Sequence, residues 1–271
     1  MILFCSQGYT QRYKRNFKYR QIGPTSIAKT TSDSGKWTAN GLGWIESLAV
    51  FEKNPLIIYA GSNSGGLYKS IDGGIYWNFV FDLPLVTGAL CIYLDQNNPN
   101  SLWVGSGTPV NQYPFGLGIL YSSDGGKNWL QTGLTFKPED QKVIWDIQAD
   151  KSGPSSYKIA LGNDEIYFTK DNFKTYKLVW ENKSDMRADF RQLLNNRNSG
   201  RNMAAGNRLM LSDSNLSDWV DVTSRLSFNS LSGRKSTPPD RFAMAQDPRN
   251  DNVVLALYKY GYKNFIDRSE D

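Results

Sequence analysis

Histidine is absent from all 271 residues. Without an imidazole, His-activated serine or cysteine nucleophiles and His-ligated metal centres are excluded. Any catalysis must rest on carboxylates, Tyr, Lys or Arg. Cysteine is almost absent as well, with Cys5 and Cys91 alone. Two thiols make neither a disulfide framework nor a zinc cluster, and no metal or cofactor is expected. Cys91 lies in the apolar run "GALCIYL" and reads as a buried free thiol. No stretch approaches the ~18 apolar residues of a membrane span, so no transmembrane segment is expected. The opening "MILFCSQGYTQ" has five apolar residues in a row and no basic lead. It reads as the tail of a signal segment whose start is missing. Long Ala/Leu/Glu/Lys runs are missing too.

What the chain does have is aromatic residues, 13% of the total with 8 Trp and 15 Tyr. Aromatic side chains suit pleated surfaces, and an all-β fold is expected. The net charge is +5, with much of the excess at Arg12, Lys14, Arg15, Lys18 and Arg20. This reads as a solvated basic lead-in. Elsewhere Asp and Glu are interspersed and no periodic basic–aromatic surface recurs, so nucleic acid is not an expected partner. Residues 1–20 are therefore set apart from a folded region over 21–271.

One motif repeats. "SIDGGIYW" carries Ser70, Asp72, Gly74 and Trp77, and "SSDGGKNW" carries Ser122, Asp124, Gly126 and Trp129 at the same spacing. "TKDNFKTY" holds a third copy, Thr169, Asp171 and Tyr176, with Phe173 in place of the glycine. "LSDSNLSDW" contains a poorer fourth around Asp213, with Trp219 one residue late, and Ser269-Glu270-Asp271 opens a fifth. An Asp side chain can accept hydrogen bonds from the backbone of its own turn. Glycine supplies positive φ, and the aromatic covers the hairpin. The motif is thus expected to be a hairpin turn, and these aspartates are structural rather than catalytic.

The aspartates fall at intervals of 52, 47, 42 and 58 residues. Upstream of each motif lies a strand, an Asp/Asn/Pro/Gly turn, a second strand and usually a glycine, as in "LAVFEKNPLIIYAGS" and "CIYLDQNNPNSLWVGSG". A period of 40–50 with four short strands per unit predicts the four-stranded antiparallel blades of a β-propeller.

With "NPLIIYAGSNSGGLYKSIDGG", these boxes make residues 40 to 271 resemble the Asp-box (BNR) repeat β-propeller superfamily. The "YRQIGP" lead-in is most similar to sortilin-type secreted bacterial BNR-repeat proteins. The resemblance implies a secreted, periplasmic or cell-surface protein. It also implies more blades than the five partial ones legible here. The last blade breaks off inside its box, so the ring is expected to be incomplete, the chain being a fragment of a longer one or a partner chain supplying the rest.

The resemblance further places ligands at the channel mouth, where the innermost strands begin. Those strands should be the first of each unit, "WIESLAVF", "GALCIYL", "VIWDIQAD", "DFRQLL" and "DRFAMAQD". Their polar starts are Glu46, Asp146, Asp189, Arg191, Asp240 and Arg241. Asp146, after Trp145, is the leading candidate for an acid in a carboxylate pair across a sugar, with Glu46 or Asp189 as partner. The opposing expectation pairs Asp189 with Arg191 or Arg241 as a wet channel lining. "PVNQYPFGLG" inserts Tyr113 and Phe115 as an aromatic patch for a glycan or a protein. The primary expectation is a non-catalytic propeller binding a protein or glycan. The alternative is a glycoside hydrolase, xyloglucanase- or sialidase-like, working through the carboxylate pair.

Overall fold

The expected units form five separate antiparallel sheets in a computed structural model that describes residues 44–63, 65–80, 88–108, 115–149, 157–184, 188–195, 202–213, 216, 218–226, 241–247, 250–260 and 263–269. The basic lead-in, Cys5, "YRQIGP", Tyr113, Asp240 and Asp271 lie outside these residues. Blade 1 contains β1 (Ile45–Val50), β2 (Ile58–Ser62), β3 (Gly66–Ser70) and β4 (Asn78–Phe79). Blade 2 contains β5 (Ala89–Leu94), β6 (Leu102–Ser106), β7 (Ile119–Ser122) and β8 (Leu130–Gln131). Blade 3 contains β9 (Asp146–Ala149), β10 (Lys158–Leu161), β11 (Glu165–Thr169) and β12 (Lys177–Glu181). Blade 4 contains β13 (Gln192–Asn195), β14 (Asn202–Ala205), β15 (Leu209–Ser212) and β16 (Trp219–Asp221). The fifth sheet has β17 (Arg241–Asp247), β18 (Asn250–Tyr260) and β19 (Lys263–Ser269). In every sheet the spatial order follows the chain order. The all-β propeller architecture read from the repeat is the observed one.

The first strands β1, β5, β9, β13 and β17 pack side by side in succession. They are the inner strands, as the resemblance implied. Second strands are buried along their whole length in blades 1, 2 and 3, because both faces of a central strand are covered. Apolar clusters fill the gaps between blades. Tyr59 and Leu67 meet Ala89, Val104 and Leu120 between blades 1 and 2. Cys91, Trp103 and Ile119 meet Ile144, Ile147 and Tyr167 between blades 2 and 3. The glycine closing the second strand has a steric reason. A Cβ at Gly61 would lie 2.5 Å from the Ala89 carbonyl oxygen, and one at Gly105 2.8 Å from that of Ile144. Only glycine lets the next inner strand approach so closely.

The repeated motif is the turn between third and fourth strands. Ser70 Oγ donates to Asp72 Oδ1 (2.8 Å) and accepts the Gly74 N–H (2.8 Å). Asp72 accepts the N–H groups of Ile75 and Tyr76 (3.0 Å each). Ser122 and Asp124 repeat these bonds with Gly126, Lys127 and Asn128. Thr169 and Asp171 do so with Phe173 and Thr175. The third box keeps the left-handed backbone without glycine: Asn172 and Phe173 both have φ of 63°. The Phe173 ring is fully buried between blades 2 and 3, and its burial offsets the strain. In the fourth box the structure corrects the sequence alignment. Ser212 ends β15 as Ser70 ends β3, and Trp219 follows it by seven residues, as Trp77 follows Ser70. The aspartate is what has shifted: Asp213 adjoins Ser212 and pairs with Asp218 instead.

Candidate functional site

The segments leading into the inner strands lie beside the hairpins that join second to third strands. Asn63 N–H donates to the Trp44 carbonyl, Gly107 to Gly88, Trp145 to Leu161, and Phe190 to Asn163. The Thr108–Phe115 bridge closes the long blade 2 hairpin on this same face. Inner-strand starts and the aromatic insertion therefore share one face. The repeated Ser/Thr-Asp turns lie on the opposite one, where Gly73 N–H meets the Leu56 carbonyl and Gly125 N–H meets that of Asn100 in the first-to-second strand turns.

Three of the predicted residues come together between blades 3 and 4. The Arg191 guanidinium carbon stacks 3.5 Å from the centre of the Trp145 ring. Asp189 holds that guanidinium by an ion pair of 3.1 Å. Arg191 is exposed and Trp145 half-buried. Asp189 occupies the left-handed region, φ 43°, which turns its carboxylate back toward Arg191 two residues on. Of the two pairings expected for Asp189, the one with Arg191 is present. Phe115 is half-buried on the same face.

Asp146 is held differently. Its carboxylate accepts the Leu193 N–H (2.8 Å) of the next inner strand and the Gln148 amide (3.2 Å). Burial pushes its carboxyl up to about 6, against the lowering effect of these donors and of the Ile147 N–H. Although the residue as a whole is only half-buried, its oxygens are enclosed between strands. Burial, and secondly the charge of Asp146, raise the thiol of Cys91, a free cysteine whose Sγ donates to the Ile144 carbonyl at 3.6 Å. Glu46 is separate again. It is the extra residue of a bulge in β1 between Ile45 and Ser47, and it is exposed. Arg241 opens β17, the fifth inner strand.

The box aspartates behave as turn devices. Asp124 is held down to about 2, chiefly by the Asn128 side chain and backbone, with Ser122 and Lys127 contributing. Asp72 and Asp171 are lowered mainly by the backbone N–H groups of Tyr76 and Thr175.

Sequence reasoning missed Lys158. It is buried, with its ammonium 4.2 Å from the Trp103 ring centre and 5.3 Å from that of Tyr93 across the blade 2–blade 3 gap, and it donates to Asn172 Oδ1. The available signal was its column: the strand position facing the box Ser/Thr holds Ile58 and Leu102 in blades 1 and 2. Among the described residues no group of three or more Cys, Asp or Glu is placed to hold a metal ion, and no helix is long and apolar enough to cross a membrane.

No protein-family model matches the chain. A curated relative, a probable oligoxyloglucan-reducing end-specific xyloglucanase of Neosartorya fischeri, is 27% identical over 132 residues, covering 46% of this chain and 15% of the relative. The chain thus spans a small part of that protein's length. Among solved structures, the Niastella koreensis GH74 enzyme superposes with a TM-score of 0.61 at 17% identity, over 84% of this chain and 37% of that one. An auxiliary nutrient binding protein of Bacteroides thetaiotaomicron superposes with a TM-score of 0.54 at 11% identity, over 80% and 52%. At these identities the structural likeness shows the fold. The propeller is similar in fold to GH74 enzymes, and a xyloglucanase is among its relatives in sequence.

Proposed function

We propose that this chain is a glycoside hydrolase-like propeller that engages a β-glucan of xyloglucan type on the face where its inner strands begin. The observation that carries the reading is the Asp189–Arg191–Trp145 arrangement. The exposed guanidinium, held flat on the Trp145 ring and fixed by Asp189, offers oriented donors for sugar hydroxyls. The name of the curated relative supports the polysaccharide class. A cell-wall polysaccharide as ligand fits a secreted, periplasmic or cell-surface setting.

Hydrolysis is the second reading, favoured by one observation: the raised carboxyl of Asp146 suits a general acid under mildly acidic conditions. Glu46, exposed on β1, is then the partner carboxylate. Against it, both Asp146 oxygens already accept protein hydrogen bonds.

Calorimetric titration with xyloglucan oligosaccharides, run beside a reducing-end release assay, separates the two. Binding that weakens about tenfold in Arg191→Ala and Trp145→Ala, without turnover, supports the binding reading. Turnover that vanishes in Asp146→Asn while affinity is kept supports hydrolysis. Absence of both binding and turnover for xyloglucan and related β-glucans overturns the proposal.

A further inference from the structure

Both oxygens of Asp189 meet Arg191 at a single nitrogen. Oδ1 lies 3.1 Å and Oδ2 3.2 Å from Nη2. A guanidinium grips a carboxylate at two points through one of two forks, Nη1 with Nη2 or Nε with Nη2. Both forks include Nη2. Asp189 therefore holds the one nitrogen that a ligand carboxylate needs for a two-point grip. Nη1 and Nε are left for a ligand, and each can donate singly to a hydroxyl oxygen. One flat side of the guanidinium is closed by the Trp145 ring at 3.5 Å.

The backbone is shaped for this contact. Asp189 sits at φ 43°, a left-handed conformation that Asp and Asn adopt more readily than most residues. Between the two charged residues Phe190 is fully buried, its ring centre 5.2 Å from that of Trp180, and its N–H donates to the Asn163 carbonyl. Acid and base thus flank a fixed point.

Charge elsewhere on the face has the same sense. Lys142, in the segment leading into β9, pairs with the buried Glu165 at 2.7 Å, and the charges of Glu181 and Asp140 also act on it. Arg208, in the hairpin between β14 and β15, pairs with Asp221 at 3.0 Å. These cations are already matched by acids, so an incoming anion gains little attraction from them and meets the acids as repulsion.

We propose that Asp189 sets the charge selectivity of this face: it reserves Arg191 for sugar hydroxyls and turns away glycans that bear carboxylates. The proposal rests on the glycan reading above and narrows its ligand to uncharged sugars.

Calorimetric titration of the full chain with xyloglucan oligosaccharides, and with the same oligosaccharides after oxidation of their primary hydroxyls to carboxylates, tests this. Wild type should prefer the neutral form by at least about tenfold. Asp189→Asn removes the charge with a residue that suits the same φ. It should bind the neutral form more weakly, because the guanidinium is less firmly fixed. It should bind the carboxylated form about tenfold more tightly, a gain that shrinks as salt rises. Asp189→Gly, which also vacates Nη2, should gain at least as much. Asp221→Asn changes the net charge of the same face equally and should keep the wild-type preference. A wild type that binds both forms equally, an Asp189→Asn variant that loses affinity for both alike, or an equal gain in Asp221→Asn would each overturn the proposal. Carboxylated sugar bound only once Asp189 is replaced, with no neutral sugar bound by wild type, would overturn the xyloglucan reading and uphold the selectivity. No binding of either form by any of these proteins would overturn both.

Discussion

Leu193 donates its backbone N–H to the Asp146 carboxylate at 2.8 Å. An acid on the inner strand of blade 3 thereby ties the inner strand of blade 4, and it does so with its charge enclosed. Its carboxyl is raised to about 6, from 3.8 for the free group. A group raised on folding contributes stability that is full below its unfolded value and is lost as pH rises through its folded one. Wild type should therefore gain stability on the order of 2–3 kcal/mol as pH falls from above 7 toward about 4. Asp146→Asn, which keeps an acceptor for Leu193, should flatten that part of the profile. Thermal melts across the range check it; a profile unchanged by the substitution would show that Asp146 does not titrate there.

The box aspartates should act in the opposite direction and in a lower window. Asp124 is held at about 2, so the stability it provides is present above its unfolded value and disappears as pH falls from about 4 toward 2. Asp124→Asn should shift the acid-unfolding midpoint upward. Ser122→Ala, which removes the buried hydroxyl that the Gly126 N–H donates to, should cost about 1–2 kcal/mol at neutral pH. Ser123→Ala, one residue on and exposed, should cost almost nothing. Urea titrations of the two alanine variants measure that contrast.

Phe173 reverses the usual rank of alanine and glycine. Its φ of 63° disfavours any residue with a Cβ. Phe173→Ala should lose about 3–5 kcal/mol of core packing. Phe173→Gly loses the same ring but relaxes the backbone, and should be about 1 kcal/mol more stable than the alanine variant. Equal or inverted stabilities in chemical denaturation would mean the left-handed conformation carries no strain.

Lys158 joins blades 2 and 3 through Trp103, Tyr93 and Asn172. Burial lowers its ammonium below the usual lysine range, partly opposed by Asp95. Lys158→Ala leaves a cavity and an unfilled aromatic box, and should cost about 2–4 kcal/mol. Lys158→Met keeps most of the volume and should cost less than half of that. Melting temperatures of the pair decide whether packing or charge dominates.

The blades were legible because each repeats a local device. Ser, Asp and Gly within five residues satisfy the turn's own backbone donors, so box and hairpin follow from short-range chemistry. The identity of the inner strands followed from the family resemblance. The fourth box was misaligned on Asp213 because the aspartate is the conspicuous residue, whereas Ser212 and Trp219 set its register. Of the candidate site, the pairing of Asp189 with Arg191 was legible because they lie two positions apart. The stacking of Trp145 on Arg191 was not, since they lie 46 positions apart and only the packing of adjacent blades brings them together.

Sequence by itself determined the strand order, the box turns and the absence of imidazole chemistry, all properties of residues close along the chain or of composition. Tertiary structure decided which charges are spent between blades and which face solvent: it enclosed Asp146, buried Lys158 against three neighbours, and left Ile71, Ile75 and Tyr76 in water. Burial depends on what lies across a gap, and the residue across a blade gap is some 40–60 positions away, beyond the reach of any local pattern.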